Sequence, residues 1–305
     1  MRVIFGCLGL CVGLLASTLG VAQAQAPGVD TIEQRMQQLR PPSERALPPE
    51  EAILTGKEDL VLLQRRKLFT LSGNAEYRYT DNAFLSDDFR ESDQIFSPNV
   101  GLRVATRIAE RYDVYAEAQV YAARYKEHPE LDFDGFTGRI GGEMPAGSWL
   151  LGASYSGSPV YDKGLHNRLV TLHELQLSAR RVVPIDRKTA LLPSFHLSRI
   201  FADPNDFSTV SGDAGVSVVR QLSAEVVGLV GLQAEGRSYD NYFEELTNET
   251  RRDLGLSGRL ILVWRPTDWF SASGLVELTR NWSTLKVNDY HNISVAPAVH
   301  LTAHF

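Results

Sequence analysis

The sequence predicts an all-β fold, a transmembrane antiparallel up-and-down β-barrel of about 12 strands, on three observations. From Leu68 onward the chain divides into long segments of alternating polarity, and the connections between them are short and long in turn. The last segment runs Ile293, Val295, Pro297, Val299, Leu301, Ala303, Phe305, with Asn292, Ser294, Ala296, Ala298, His300, Thr302 and His304 between them. Side chains on a strand point alternately to opposite faces, so this period-two pattern makes one face apolar and the other polar. Ahead of the barrel stands a short N-terminal segment of helical or disordered character.

Residues 1–26 read as a secretory signal peptide. Arg2 supplies the positive start, Val3 to Leu19 the apolar run, and Val21-Ala22-Gln23-Ala24-Gln25-Ala26 the small-residue cleavage sites. The cleavage region argues against a retained membrane helix. Cys7 and Cys11 are the only cysteines, and Leu10 stands where a lipidation signal needs a small residue. Both leave with the leader, so the mature chain is expected to carry no disulfide and no thiolate chemistry. Losing Arg2 makes the formal net charge of −6 one unit more negative, which argues against a nucleic-acid partner. No other run reaches the ~18 apolar residues of a spanning helix.

Residues 27–67 are expected to form a periplasmic N-terminal segment. Asp30 and Glu33 have capping-box spacing, and Ile32, Met36 and Leu39 recur at helical intervals. Pro41 and Pro42 stop that helix, a linker follows through Pro48-Pro49, and a second helical stretch covers Lys57–Arg66. The segment reads as a tail. The sharper alternative is a plug, or a contact for a periplasmic export partner.

Residues 68–305 form the barrel. The twelve segments fall at about 68–80, 92–109, 112–125, 133–144, 148–159, 167–183, 188–201, 207–220, 224–239, 250–264, 269–282 and 290–305. Tight connections occur at Glu110-Arg111, Pro145-Ala146-Gly147, Pro184-Ile185-Asp186-Arg187, Gln221-Leu222-Ser223 and Arg265-Pro266-Thr267-Asp268. The longer ones, such as Asp81–Glu91, Lys126–Asp132, Val160–His166 and Asp240–Glu249, are polar and acidic. Short periplasmic turns and long external loops are the layout of barrels in the outer membrane, and an even strand number puts both ends of the barrel on the periplasmic side. Soluble β-sandwiches also alternate, but their strands usually run nearer ~5–6 residues.

Leu254, Leu256, Leu260, Leu262 and Trp264 share an outward face, as do Phe270, Ala272, Val276 and Leu278. Trp149, Trp264, Phe270 and Phe305 collect by the short turns, and Tyr79, Tyr155 and Trp282 near the long loops, as two interfacial girdles would. The opposite face carries Arg103, Arg107, Glu117, Gln119, Arg139, Glu143, Glu174, Arg180, Asp213, Glu235, Arg237, Asp253, Arg259 and Glu277. In hydrocarbon an arginine costs ~2–4 kcal/mol at mid-depth, so these residues are expected to face an enclosed, wet interior. Arg103, Arg107, Arg139, Arg180 and Arg259 lie toward the short-turn ends. They form either a basic collar at the inner mouth, focusing anions, or one half of a set of pairs with Glu117, Glu143 and Glu174 that stiffens the lumen.

Enzymatic readings are weaker. His291 and Ser294 point to opposite faces, and His300 shares the lumenal face with Ser294, away from lipid. The seven histidines are scattered, with none in a metal-like pair. Asp132-Phe133-Asp134 has carboxylates that would suit a divalent ion, a spacing also common in solvated loops. There is no phosphate loop and no nucleophile elbow. No cofactor, metal or catalytic residue is expected.

Tyr77-Arg78-Tyr79-Thr80-Asp81-Asn82-Ala83-Phe84-Leu85, leading from the first strand into the first loop, resembles the start of β-barrel porins of the bacterial outer membrane, including ones linked to exopolysaccharide export. The final strand ending in Phe305 resembles their closing strand. The resemblance implies a passive channel or export conduit for anionic solutes or exopolysaccharide in a Gram-negative outer membrane. It implies as partners outer-membrane lipid, lipopolysaccharide and the barrel assembly machinery, which would engage the strand ending at Phe305. A non-transporting structural or assembly barrel is the alternative, and a membrane-embedded lipid hydrolase the weakest reading.

Overall fold

The computed structural model describes residues 68–109, 111–243 and 250–305; the expected signal peptide and N-terminal segment lie outside the described residues. Each of the twelve expected segments is a strand. They are β1 (Phe69–Thr80), β2 (Asp93–Ile108), β3 (Tyr112–Tyr125), β4 (Phe133–Ala146), β5 (Trp149–Asp162) and β6 (Arg168–Arg181, continued by the ladder pair Val183–Pro184), followed by β7 (Thr189–Asp203), β8 (Thr209–Gln221), β9 (Val226–Phe243), β10 (Thr250–Trp264), β11 (Phe270–Ser283) and β12 (Tyr290–His304). Every strand pairs antiparallel with its sequence neighbours, and β12 closes onto β1 from Thr70 opposite His304 to Thr80 opposite Ser294. Phe69 and Phe305 exchange backbone hydrogen bonds at the seam. Closure leaves no unpaired edge, which a sheet in hydrocarbon requires.

Strand boundaries differ from the sequence expectation by up to four residues, β5 running to Asp162 and β7 to Asp203 as well as the two ends that follow. β4 continues through Pro145 and Ala146, which pair with Leu150 and Trp149, so the turn shrinks to Gly147-Ser148. Gly147 takes φ +61°, the left-handed conformation a two-residue hairpin needs. β9 runs past residue 239 to Phe243, which pairs with Thr250 after a register shift. Strands of 12 to 18 residues exceed the ~9–11 that cross the hydrocarbon, so their outer ends project beyond it.

Outward positions are apolar over the middle of every strand; β12 presents Ile293, Val295, Val299 and Leu301, and β9 presents Val230 and Leu232. Outward charges are confined to the strand ends, Arg124, Arg199, Asp240, Arg252 and Arg280 beside the long loops and Arg181 and Arg220 beside the short turns. Trp264 stands edge-on to Phe270 with ring centroids 6.3 Å apart, and Trp149 packs 5.8 Å from Phe195, forming the inner girdle.

The inward face holds two apolar clusters. One lies at the long-loop ends of β2–β6, where Ile95, Tyr125, Phe133, Val160 and Val170 meet Leu131 and Phe207 from short 3-10 turns, with Phe84 and Leu85 from the first loop packed on them. Loop side chains therefore fold inward over that part of the outer mouth. The second lies at the short-turn ends of β7–β10, where Ala190, Leu192, Val219, Leu229, Ile261 and Val263 cluster, with Val182, Val227 and Leu275 against them.

Candidate lumenal site

On β2–β6 the inward face carries two cross-strand rows of charge. In the first, Arg103 lies opposite Glu117, Glu117 opposite Arg139, Arg139 opposite Ser156 and Ser156 opposite Glu174. In the second, Arg107 lies opposite Asp113 and Asp113 opposite Glu143. These rows arise because residues of equal parity share a face, and antiparallel register then sets them side by side.

Arg107 grips Asp113 as a fork, with Nε donating to Oδ1 at 2.6 Å and Nη2 to Oδ2 at 2.7 Å. Arg180 Nη2 reaches across Gly152 of β5 to donate to Glu143 Oε2 at 2.6 Å. Arg103 sits over the Tyr115 ring, 4.1 Å from its centroid. Ser156 Oγ donates to Glu174 Oε2 at 3.5 Å. Arg139 is different: its Nε is buried and has no hydrogen-bond partner. Buried donors are nearly always satisfied, so an orphan on a lumen wall points at a ligand or water.

The structure brings Arg103, Arg107, Arg139 and Arg180 together with Glu117, Glu143 and Glu174 on one half of the wall. Arg259 stands apart on β10, opposite Glu277, and donates to Gln233. The belt is of mixed sign. Asp113, absent from the sequence candidates, has the same parity on β3 as Glu117, and that parity was the available signal. Beyond a Debye length of ~8 Å such pairs largely cancel, which leaves Arg103 and Arg139, on either side of Glu117, as the local positive features.

Two tyrosines keep this wall smooth. Tyr115 and Tyr121 lie opposite Gly141 and Gly135. A Cβ at Gly141 would stand 2.6 Å from the Tyr115 oxygen, and one at Gly135 would fall inside the Tyr121 ring. The glycines thus let both rings lie flat rather than project into the lumen. Gly141→Val should push Tyr115 off the wall, free Arg103 from its ring, and reduce any single-channel conductance without disturbing the outward belt.

The long loops are less acidic than their composition suggests. Asp81 pairs with Arg90, Lys163 Nζ binds Asp132 at 2.8 Å, and Asp134 takes Arg124 and the Gly164 N–H. Asp132 and Asp134 are thereby engaged in tying loops. Asn82 is fully buried and holds Ser86 and the His291 carbonyl, so the segment Tyr77–Leu85 opens a loop that is stapled to β12.

Asp87 completes that staple, accepting from the His291 backbone N–H at 3.0 Å and from Arg280 at 2.8 Å. Burial raises its carboxyl pKa, but these hydrogen bonds and the nearby charge outweigh it, so the pKa sits below the ordinary 3.8. A depressed carboxyl stabilises the fold fully above its unfolded value and loses that contribution as pH falls through the folded one. Pepsin cleavage near Phe89 should therefore accelerate as pH drops below 3.8, and Asp87→Asn should flatten that dependence.

No protein-family model and no curated protein matches this chain. Among solved structures, an outer-membrane channel from Pseudomonas putida F1 aligns with TM-score 0.53 at 11% identity, covering 87% of this chain and 99% of that one. A KdgM porin in complex with disordered oligogalacturonate gives 0.42 at 8%, covering 76% and 99%. A bacterial polysaccharide outer membrane secretin gives 0.41 at 11%, covering 79% and 99%. At these identities the likeness is one of fold. With its lipid-facing wall and closed twelve-stranded sheet, the chain is an outer-membrane β-barrel, similar in fold to the Pseudomonas putida F1 channel.

Proposed function

We propose that this barrel is a passive channel or export conduit for anionic solutes or an anionic exopolysaccharide, with Arg139 as the main anion contact. The observation that carries the reading is the charged belt on the β2–β6 half of the lumen, in which Arg139 keeps a buried donor without a partner. Arg103, Arg107 and Arg180 position the belt, and Glu117, Glu143 and Glu174 set its mixed sign. The export version rests on the resemblance of Tyr77–Leu85. The periplasmic partner, lipopolysaccharide contacts and recognition of the Phe305 strand by the assembly machinery belong to the same proposal, as does removal of residues 1–26.

Planar-bilayer recording under a KCl gradient tests it. Open-channel currents should prefer chloride, and Arg139→Ala should move the reversal potential toward potassium. Arg180→Ala should shift it the same way, because it leaves Glu143 uncompensated. Absence of any current removes the channel reading and favours a non-transporting structural barrel, which the inward-folded loops of the outer mouth also suit. Ser273 Oγ lies 2.9 Å from His300 Nε2, a pair not picked out from the sequence, but it faces the lumen rather than the bilayer. We read the protein as non-enzymatic, and lipid hydrolysis above background that is lost in Ser273→Ala would overturn this.

A further inference from the structure

The inner rim of the barrel is not evenly charged. Arg181 ends β6 and Arg220 lies near the end of β8, both with outward parity, while Arg187 and Lys188 stand in the turn between β6 and β7. All four are exposed, and among the described residues none of them makes an ion pair. At the outer rim Arg124, Arg199 and Arg280 are instead paired with Asp134, Asp240 and Asp87. The acid beside the four cations is Asp186. It accepts the Lys188 backbone N–H at 2.7 Å and meets the charge of Arg220 at longer range. Glu225, in the next short turn, is engaged on the far side, where Trp264 Nε1 donates to it at 3.1 Å. Elsewhere on this rim Gly147-Ser148 carries no charge, and Arg265 lies 4.0 Å from Asp268.

We propose that Arg181, Arg187, Lys188 and Arg220 bind the phosphate of an anionic glycerophospholipid in the leaflet beside the short turns. Short turns lie on the periplasmic side, so this is the periplasmic leaflet. The placement selects a lipid over a water-borne partner. Arg181 lies opposite Trp149 across the β5–β6 ladder, and Trp149 packs on Phe195. Aromatic rings of this kind mark the border of the hydrocarbon, so the Arg181 stem starts inside that border and carries its charge out to the headgroups. A soluble polymer or protein would have to displace lipid to reach it. On the same face, four residues before Arg181, Leu177 is 58% exposed, and Leu197 opposite it is 61% exposed, which supplies a surface for acyl chains. Strands spaced ~4.8 Å apart put β6 and β8 ~10 Å from one another, so the cations converge on one side of the wall. Guanidinium forks match phosphate oxygens, and unpaired ones have their donors free for them. The site does not depend on whether the barrel conducts.

Fluorescence quenching tests this in the full-length chain refolded into phosphatidylcholine vesicles. Trp264, Trp269 and Trp282 are replaced by Phe, so that Trp149 is the one remaining tryptophan. Brominated phosphatidylglycerol, at a small mole fraction, should associate at Trp149 at least about fivefold more strongly than brominated phosphatidylcholine at the same fraction, the preference that one basic residue near a charged headgroup supplies. Arg181→Gln with Arg220→Gln should remove most of that preference, and Arg187→Gln with Lys188→Gln should reduce it. Arg199→Gln, at the outer rim, should leave it unchanged. The heat-modifiable band on unboiled gels reports folding. Should the strand pair fail to fold, the turn pair, which alters two exposed turn residues, carries the test. Equal quenching of the parent barrel by the two lipids, or a preference undiminished in the folded variants, would overturn the proposal. So would a preference that soluble polyphosphate removes at matched ionic strength, because the patch would then serve a water-borne anion.

Discussion

Leu232→Arg should deplete the folded barrel severely, whereas Gln233→Arg, one residue along the same strand, should be tolerated. Leu232 is 60% exposed on the outward face of β9, flanked across the ladders by Val216 and Gly258. Gln233 points inward, between Gly215 and Ser257 and beside Arg259. An arginine on the lipid face near the bilayer midplane costs about 2–4 kcal/mol, or roughly one and a half to three orders of magnitude in the folding equilibrium. A lumenal arginine stays hydrated and has acids such as Glu235 and Asp213 within two residues or one strand. Urea titration in lipid vesicles, read from the heat-modifiable band on unboiled gels, measures the difference. Equal stabilities, or the opposite order, would mean that the two faces of the wall have been exchanged.

That contrast depends on a property already visible in the primary structure. Side-chain direction repeats every two residues, so a strand with one polar and one apolar face has a single acceptable register, and a slip by one would put every charge into lipid. The inward parity of Arg103, Arg139 and Glu174 follows from that alone, and the twelve strands from the same alternation read with the short and long connections between them. Other features were less accessible. Leu260-Ile261-Leu262-Val263 is apolar on both faces, and a continuous run carries no parity signal, so the second inward cluster was hidden among lipid contacts. Which arginine would be paired depended on cross-strand register. Arg180 meets Glu143 only because Gly152 intervenes, and Arg139, opposite Glu117, is left with an orphan donor. The inward fold of Phe84, Leu131 and Phe207 comes from loops, where apolar residues are too few to show a period.

The second large effect is expected at Asp253, and it separates charge pairs that build the barrel from pairs exposed to the lumen. Arg251 Nε donates to both Asp253 oxygens at 3.1 Å, and Nη2 donates to Oδ2 at 2.7 Å. The side chains are only 7% and 2% exposed, and the guanidinium lies 4.4 Å over the Tyr239 ring. Asp253→Ala removes the carboxylate but keeps the cation in place, and breaking a buried pair in this way typically costs about 3–5 kcal/mol. Replacing both partners together, as Arg251→Met with Asp253→Leu, should recover most of that loss, because exchanging a whole buried pair for apolar side chains of similar volume costs far less than removing one member of it. Arg180 and Glu143 form an equally short contact, but their side chains are 29% and 23% exposed. Water can take over from either partner there, so Glu143→Ala should lower stability by no more than about 1 kcal/mol while moving ion selectivity toward anions. A Glu143→Ala cost as large as that of Asp253→Ala would mean that the belt is dry and structural, and that no solute passes Arg139.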